Sequence, residues 1–147
     1  MDFIYSLGGI GQSDGRIRVR MHNAAGDVEF TAPALQVNAP IRLNEPIFGD
    51  HYMFLRSTVS PDVTAKLTIP SPSMVHYRGG PAAIDPAVYP DIDEFWTDLS
   101  AAYAEQVKAI AALGCQYLQL DDTSLAYLND PAQRAMMAGR GEDAEHM

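Results

Sequence analysis

The chain of 147 residues is long enough for one domain and too short for two ordinary ones. Hydrophobic residues make up 47% and charged residues 20%, which excludes the disordered and fibrous classes. The net charge of −9 excludes nucleic acid as an expected partner, because phosphate binding requires clustered Lys and Arg. The chain has one cysteine and no apolar run near the ~20 residues of a membrane span. We therefore expect a cytoplasmic protein with no intrachain disulfide and no membrane association.

The first 48 residues are typical of an antiparallel β-meander. Four short runs predict its strands: residues 17–21, 28–31, 35–37 and 41–43. Pro33 and Pro40 lie between or beside these runs and suit strand ends or edges. Three basic residues alternate along the first run and share one face, which a solvated surface explains better than an anion site: Arg16, Arg18 and Arg20. Apolar residues then recur at helical spacing from Phe48 to Val59, which predicts a short helix stopped by Pro61.

The second half has the pattern of a βαβ unit. Residues 64–69 predict a strand, and residues 115–120 predict a second strand that should pair with it in parallel. Between them lies a polar loop from Ser71 to Pro90 and then a long amphipathic helix with Asp91 as its N-cap. Gly114 is placed where a left-handed residue would end this helix. A further short helix is predicted over residues 132–138, followed by a polar tail.

Two parallel strands leave apolar edges and faces that require cover. A closed (β/α)₈ barrel takes about 250 residues, so this chain alone cannot complete one. Three explanations remain open: the meander covers the strands, a second copy of the chain does so, or the chain is a fragment.

The first candidate site follows the strand at residues 64–69. Sites in α/β folds lie at the carboxyl ends of parallel strands, and the long loop there mixes hydroxyl, imidazole and guanidinium groups. Ser71, Ser73, His76 and Arg78 suit a polar, anionic ligand, with Arg78 as a natural carboxylate partner. A proline-stiffened surface loop explains the same residues equally well.

The second candidate site is the pair Asp121 and Asp122 at the end of the other strand. Adjacent carboxylates after an apolar strand are costly unless they are exposed, paired, or face a ligand or metal. Successive side chains leave a strand on opposite sides, so one of the two should bind a ligand, as the partner of an ammonium group or as a base. The other is expected to cap the segment at Thr123 and Ser124.

Other reactive residue types carry weaker signals. Cys115 is interpreted as an inert core thiol, and Trp96 falls on the apolar stripe of the long helix. The four histidines show no metal-ligand spacing. No catalytic or metal-binding residue is therefore predicted within the chain.

Four segments resemble one branch of the cobalamin-independent methionine synthase family. They are KLTIPSPS at 66–73, HYRGG at 76–80, YPDID at 89–93 and GCQYLQLDDT at 114–123. The similarity extends from residue 1 to about residue 141. The resemblance implies an α/β fold, a partial (β/α)₈ TIM barrel with an N-terminal β-meander. The chain would be a single incomplete domain, with the meander at 1–48, β/α units at 49–138 and a flexible tail at 139–147.

The resemblance also implies a reaction in which zinc activates the homocysteine thiol, which then takes a methyl group from a methyl-folate. Asp121 matches the acidic residue that holds the homocysteine amino group, and Asp122 matches the second acidic position with a shorter side chain. The turn from Ser71 to Ser73 matches a strand-end loop near the folate side.

The family's zinc ligands, a His, two Cys and a Glu, lie on strands that this chain does not contain. We therefore expect an internal fragment that is inactive alone and holds no zinc, whereas the complete family member would require it. Two alternatives stay open: a zinc-dependent thiol alkyltransferase of the epoxide:coenzyme M type, and a non-catalytic module that binds small molecules or forms homo-oligomers.

Overall fold

The structure is a computed structural model that describes residues 2–77, 79–143 and 145, with the backbone alone for residues 17–23 and 32. Its helices and strands form a mixed α/β arrangement with two separate two-stranded sheets, one antiparallel and one parallel. No helix in the described ranges is long and apolar enough to cross a membrane.

A long antiparallel ribbon replaces the predicted meander. Its strands are β1 (Gly8–Asn23) and β2 (Gly26–Arg42). The antiparallel pairing is confirmed, but the four predicted short strands are two long ones. Pro33 and Pro40 suggested strand ends but lie inside β2. Each strand of a two-stranded ribbon has a free edge, and a proline whose missing N–H would face that edge breaks no hydrogen bond between the strands. Irregularities in register lie between Gly8 and Ile10 and between Gln12 and Arg16.

A helix that the sequence did not predict precedes this ribbon. It is α1 (Asp2–Ser6), whose Phe3 and Ile4 are buried in the core. A five-residue helix is too short to show a 3.6-residue period, so its stability comes from packing rather than from a readable pattern.

The predicted helix after Phe48 is confirmed as α2 (Gly49–Thr58). Phe48 adopts a left-handed conformation with φ of 62°, which is uncommon for a bulky residue. The neighbouring Ile47 is fixed by the side-chain amide of Gln106, which accepts from the Ile47 N–H at 2.9 Å and donates to its carbonyl at 2.8 Å.

The βαβ unit is confirmed. Its parallel strands are β3 (Lys66–Pro70) and β4 (Tyr117–Asp121), paired from Lys66 with Tyr117 through Pro70 with Asp121. Its main helix, labelled α4 in chain order, spans Ile92–Ala112, with the Asp91 carboxylate accepting from the Asp93 N–H at 3.0 Å. Gly114 has the expected left-handed φ of 89° after the helix end.

The apolar spacing of the long helix also predicted Ile92 and Val107 on its buried stripe, and the structure contradicts both positions. Val107 and Ile92 are about 40% exposed, whereas Gln106 and Ala102 are buried. A glutamine at a core position hides the 3.6-residue period from a pattern that counts only apolar residues.

The loop after β3 is more ordered than the sequence suggested. It contains α3 (Ser73–Tyr77) and a 3₁₀ turn (Gly80–Ala83). After β4 come α5 (Ser124–Leu128) and α6 (Pro131–Gly139), the latter matching the predicted short helix.

The parallel sheet is covered on one face. Ile69 lies in the same core as Phe95, Leu99 and Tyr103 of α4, and Leu67 and Leu118 pack against that core. The opposite face carries Lys66, whose ammonium donates to the Gln119 side chain at 3.0 Å. This open, polar face bears on the site described next.

Candidate functional site

Three serine hydroxyls surround one carboxylate where β3 and β4 end. The Asp122 Oδ1 atom accepts from Ser73 at 3.0 Å and from Ser124 at 2.5 Å. Ser71 and Ser73 are joined through their hydroxyl oxygens at 2.7 Å, and Ser124 and Ser73 at 2.8 Å. We name Ser71, Ser73, Asp122 and Ser124 the serine–aspartate cluster.

Backbone bonds hold this cluster in register with the sheet. The Ser71 N–H donates to the Asp121 carbonyl at 3.1 Å, which extends the parallel pairing one residue past β3. The Met74 N–H then donates to the Ser71 carbonyl at 3.2 Å as α3 begins. On the other side, the Tyr103 hydroxyl of α4 donates to the Pro70 carbonyl at 3.0 Å. The cluster is thus fixed by both strands and by the long helix.

The surroundings of Asp122 keep it ionised. Partial burial by itself would raise the pKa of its carboxyl, but hydrogen bonds from Ser124, Ser73, Ser71 and the Leu125 backbone outweigh that effect and lower the pKa. The helix α5 has Thr123 at its N-cap and no side-chain capping hydrogen bond, so the capping role predicted for one of the two aspartates is not seen there. The Asp122 carboxylate is therefore occupied by hydrogen bonds from within the chain.

Asp121 has a different environment. Its side chain is exposed, and within the described ranges its carboxylate makes no hydrogen bond or ion pair. Gln119 lies two residues before Asp121 in β4 and binds Lys66 on the open face of the sheet. Because side chains alternate along a strand, Asp121 lies on that same face. A free carboxylate at the end of a parallel strand is available to bind a cationic group.

His76 lies apart from the cluster. It is 6% exposed in α3, with its ring centroid 5.3 Å from Trp96 and 6.2 Å from Phe95. Burial lowers the pKa of this imidazole, against a smaller raising effect of Glu142 and with a further lowering by Arg140. Its Nδ1 atom is buried without a hydrogen-bond partner in the described part of the chain. His76 is thus a neutral, buried ring that packs on α4, and its main role is in the core.

The structure thus brings together Ser71, Ser73 and Asp122, places Asp121 beside them, and separates His76. Arg78 lies outside the described residues, so its predicted role stays a prediction. Sequence reasoning missed Ser124 as a member of the cluster. Its position two residues after Asp122 was a usable signal, because a serine there can donate a hydrogen bond to the aspartate carboxylate.

The described residues do not fit a metal ion by themselves. Among residues 2–77, 79–143 and 145, no group of three or more His, Cys, Asp or Glu is placed to hold one. Cys115 is half-buried, and its sulfur lies 3.4 Å from the Tyr117 carbonyl oxygen rather than in the core as predicted.

A pocket of about 390 Å³ lies at the opposite, amino ends of the strands, where it is lined in part by Arg56, Asp62 and Gln116. The Arg56 guanidinium donates to the carbonyls of Leu113 and Gly114 at 3.4 and 3.3 Å. It therefore stabilises the end of α4, as a cation at a helix carboxyl terminus does. This occupation makes the pocket a weaker candidate than the strand ends with the serine–aspartate cluster.

Comparison with known proteins gives similarity over nearly the whole chain. The chain is 33% identical over 145 residues to the uncharacterized protein YxjH of Bacillus subtilis, covering 98% of this chain and 36% of YxjH. It is 34% identical over 126 residues to the uncharacterized protein YxjG of the same organism, covering 85% of this chain and 31% of YxjG. The chain thus spans about a third of the length of these relatives. No family model matches it.

One solved structure resembles this fold. It is a Listeria monocytogenes protein provisionally named a vitamin-B12 independent methionine synthase, with a TM-score of 0.66 and 32% identity. The match covers 88% of this chain and 34% of that one. This likeness supports the resemblance carried by the sequence motifs, while the two uncharacterized relatives add no function to it.

Proposed function

We propose that the chain is part of a methyltransferase that moves a methyl group from a methyl-folate to the thiol of homocysteine, and that it supplies the contact for the substrate's ammonium group. The observation that carries this proposal is the free Asp121 carboxylate at the end of β4, beside the serine–aspartate cluster. In the transfer, the thiol gives up its proton and a sulfur–methyl bond forms as the bond between the methyl carbon and the folate breaks. The electron pair of the broken bond stays with the folate, which takes up a proton.

Asp121 and Asp122 would have different roles, one in binding and one in structure. Asp122 has its carboxylate bound by two hydroxyls, so it fixes the shape of the strand ends. Asp121 presents an acceptor to solvent and would bind the ammonium group through a charge-assisted hydrogen bond. Ser71 and Ser73 would then act by positioning, since their hydroxyls are occupied within the cluster.

We further propose that β3 and β4 are adjacent strands of a (β/α)₈ barrel. Three features support this: their parallel pairing, the helical crossover, and a sheet with one face on helices and the other open and polar. In such a barrel Lys66, Gln119 and Asp121 would face the interior, and the site would lie at the carboxyl ends of the strands.

Zinc enters this proposal only through a longer protein. The described residues do not form a metal site, so no step within this chain depends on one. In a protein of the length of its relatives, segments outside this chain would hold the zinc. We also propose a cytoplasmic location for the protein, where homocysteine-like thiols and methyl-folates would be its small-molecule partners.

Nuclear magnetic resonance titration of the chain tests the ammonium contact. We expect L-homocysteine to shift the backbone amide signals at the ends of β3 and β4. Two thiols that lack an amino group, 3-mercaptopropionate and coenzyme M, should not. A reducing agent prevents disulfide formation with Cys115, which would otherwise imitate binding. Asp121→Asn should weaken the homocysteine affinity about tenfold, because it removes the charge from one charge-assisted hydrogen bond.

Glu105→Gln is the matched control, since it removes one exposed carboxylate from α4 that is not part of the serine–aspartate cluster. Equal affinity for coenzyme M and homocysteine would favour thiol alkylation of the epoxide type. Homocysteine binding that is unchanged in Asp121→Asn would contradict the proposed contact.

A further inference from the structure

Helices α3 and α5 begin side by side at the serine–aspartate cluster. Ser73 is the first residue of α3 and Ser124 is the first residue of α5, and the Ser124 hydroxyl donates to the Ser73 hydroxyl at 2.8 Å. Beside this contact, the Thr123 hydroxyl donates to the Met74 sulfur at 3.3 Å. The two contacts fix the starts of both helices relative to each other, next to the carboxyl ends of β3 and β4.

Each of these helices carries a tyrosine about one turn further on, and the two rings stack. The ring centroids of Tyr77 and Tyr127 lie 5.3 Å apart, and the ring planes differ by only 9°. Tyr77 is the inner partner, because it is 8% exposed and its hydroxyl donates to the Gln133 side chain of α6 at 3.0 Å. The stacked pair is thus held by α3, α5 and α6 together, before any ligand is present.

Tyr127 is the outer partner and presents a large aromatic surface to solvent. It is 46% exposed, although Tyr77 covers one face of its ring. This surface lies six residues beyond the end of β4 at Asp121, close to the strand ends where α/β folds place their ligands. An aromatic side chain stacks well on a planar ring of a ligand, and its removal typically weakens binding about five- to a hundredfold.

We propose that the outer face of Tyr127 is the stacking surface for the pterin ring of the methyl donor. This inference rests on the methyl-folate proposed above, and it assigns the donor's ring to a residue outside the serine–aspartate cluster. The pyrimidine part of a pterin is planar and has its polar atoms at its edge, so its flat faces gain most from stacking. Tyr127 binds and orients this ring and exchanges no proton with it.

The two substrates then meet at one edge of the sheet. Asp121 at the end of β4 binds the amino acid, and Tyr127 on the helix that follows binds the ring of the donor. A purely structural stack would need only the face of Tyr127 that Tyr77 covers. The two roles have different consequences, because a structural stack contributes to stability alone, whereas a stacking surface also determines the affinity for a ring.

Nuclear magnetic resonance titration with folic acid tests the stacking surface. Folic acid has a fully planar pterin, and about 0.15 M salt screens the repulsion between this anion and the acidic chain. We expect the proton on the pterin ring to shift upfield, because it would lie over the face of the Tyr127 ring. N-(4-aminobenzoyl)glutamate has the remainder of the molecule but no pterin, and it should leave the signals of Tyr127 unchanged.

Three tyrosine variants separate the ring from the hydroxyl and from general effects. Tyr127→Ala should weaken folic acid binding about tenfold, whereas Tyr127→Phe keeps the ring and should retain both the affinity and the upfield shift. Tyr117→Ala is the matched control, because Tyr117 is 52% exposed at the opposite, amino end of β4. Circular dichroism confirms that each variant is folded.

Equal binding of folic acid by the wild type and Tyr127→Ala would overturn the proposal. A Tyr127→Phe variant that binds as poorly as Tyr127→Ala would also overturn it, because the contact would then be the hydroxyl. A wild type that binds L-homocysteine but not folic acid would refute the ring site and leave the ammonium contact at Asp121 intact. Folic acid binding at Tyr127 without homocysteine binding would support the ring site and refute that ammonium contact.

Discussion

The buried amide of Gln106 offers a sharp test of how the segment between the ribbon and α2 is fixed to the long helix α4. This side chain is fully buried and forms two hydrogen bonds with the backbone of Ile47, at 2.9 and 2.8 Å. Gln106→Met keeps a similar length and volume but satisfies neither group. Each buried backbone group left without a partner costs about 1–3 kcal/mol. Some of this cost is offset by the more apolar side chain, so we expect a loss of about 2–4 kcal/mol.

Urea unfolding followed by circular dichroism measures this loss. A typical domain is stable by about 5–15 kcal/mol, so the variant should remain folded with a lower midpoint and an unchanged slope. Glu105→Met, at the adjacent exposed position of α4, is the control and should change stability by less than about 0.5 kcal/mol. If Gln106→Met were equally mild, the two hydrogen bonds would contribute less than about 0.5 kcal/mol to stability and the expected loss would be refuted.

Gln106→Glu adds a pH dependence with a definite sign. An ionised carboxylate can accept from the Ile47 N–H but cannot donate to the Ile47 carbonyl, whereas a protonated one can do both. Burial should therefore raise the pKa of this glutamate in the folded state. The variant's deficit relative to wild type should shrink as the pH falls through that pKa and grow as it rises. A deficit that is independent of pH would show that the carboxyl group is not held at Ile47.

Other perturbations give independent checks. Ser73→Ala removes one hydroxyl from Asp122, so the pKa of that carboxyl should rise, as carbon-detected NMR can show, and stability should fall by about 1 kcal/mol. His76 has a lowered pKa in the folded state, so the unfolded chain binds more protons below about pH 6.5 and stability should decline as the pH drops. This decline should vanish in His76→Phe. A decline that persists in the variant would come from other groups. Asp91→Ala should cost about 1 kcal/mol in thermal unfolding while Asp91→Asn costs much less, because only alanine removes the capping acceptor.

The sequence was most informative where local signals agreed. The long helix α4 has an N-cap at Asp91 and a left-handed Gly114 after its end, and both predicted features are present in the structure. The strand ends were also predictable, because parallel strands must place Ser71 and Asp122 at the same edge of the sheet.

What sequence reasoning missed depends on contacts between distant segments. Gln106 occupies a core position because Ile47, far away in the chain, offers it two backbone partners. His76 was grouped with the site by proximity in sequence, but α3 turns its ring toward Trp96. The prolines of β2 suggested strand ends because the free edges of a lone ribbon cannot be read from composition.

The parallel pairing of β3 and β4 has a consequence for the order of folding. These strands are joined only through residues 71–116. Closing that loop costs chain entropy before the hydrogen bonds between the two strands can form and offset the cost. We expect Asp122 to meet the Ser73 hydroxyl only after both strands have paired and α4 has docked. Removing that hydroxyl should therefore accelerate unfolding and leave the refolding rate nearly unchanged, as expected for a contact made after the transition state. The edge that would hold a substrate is then also the last part of the sheet to form.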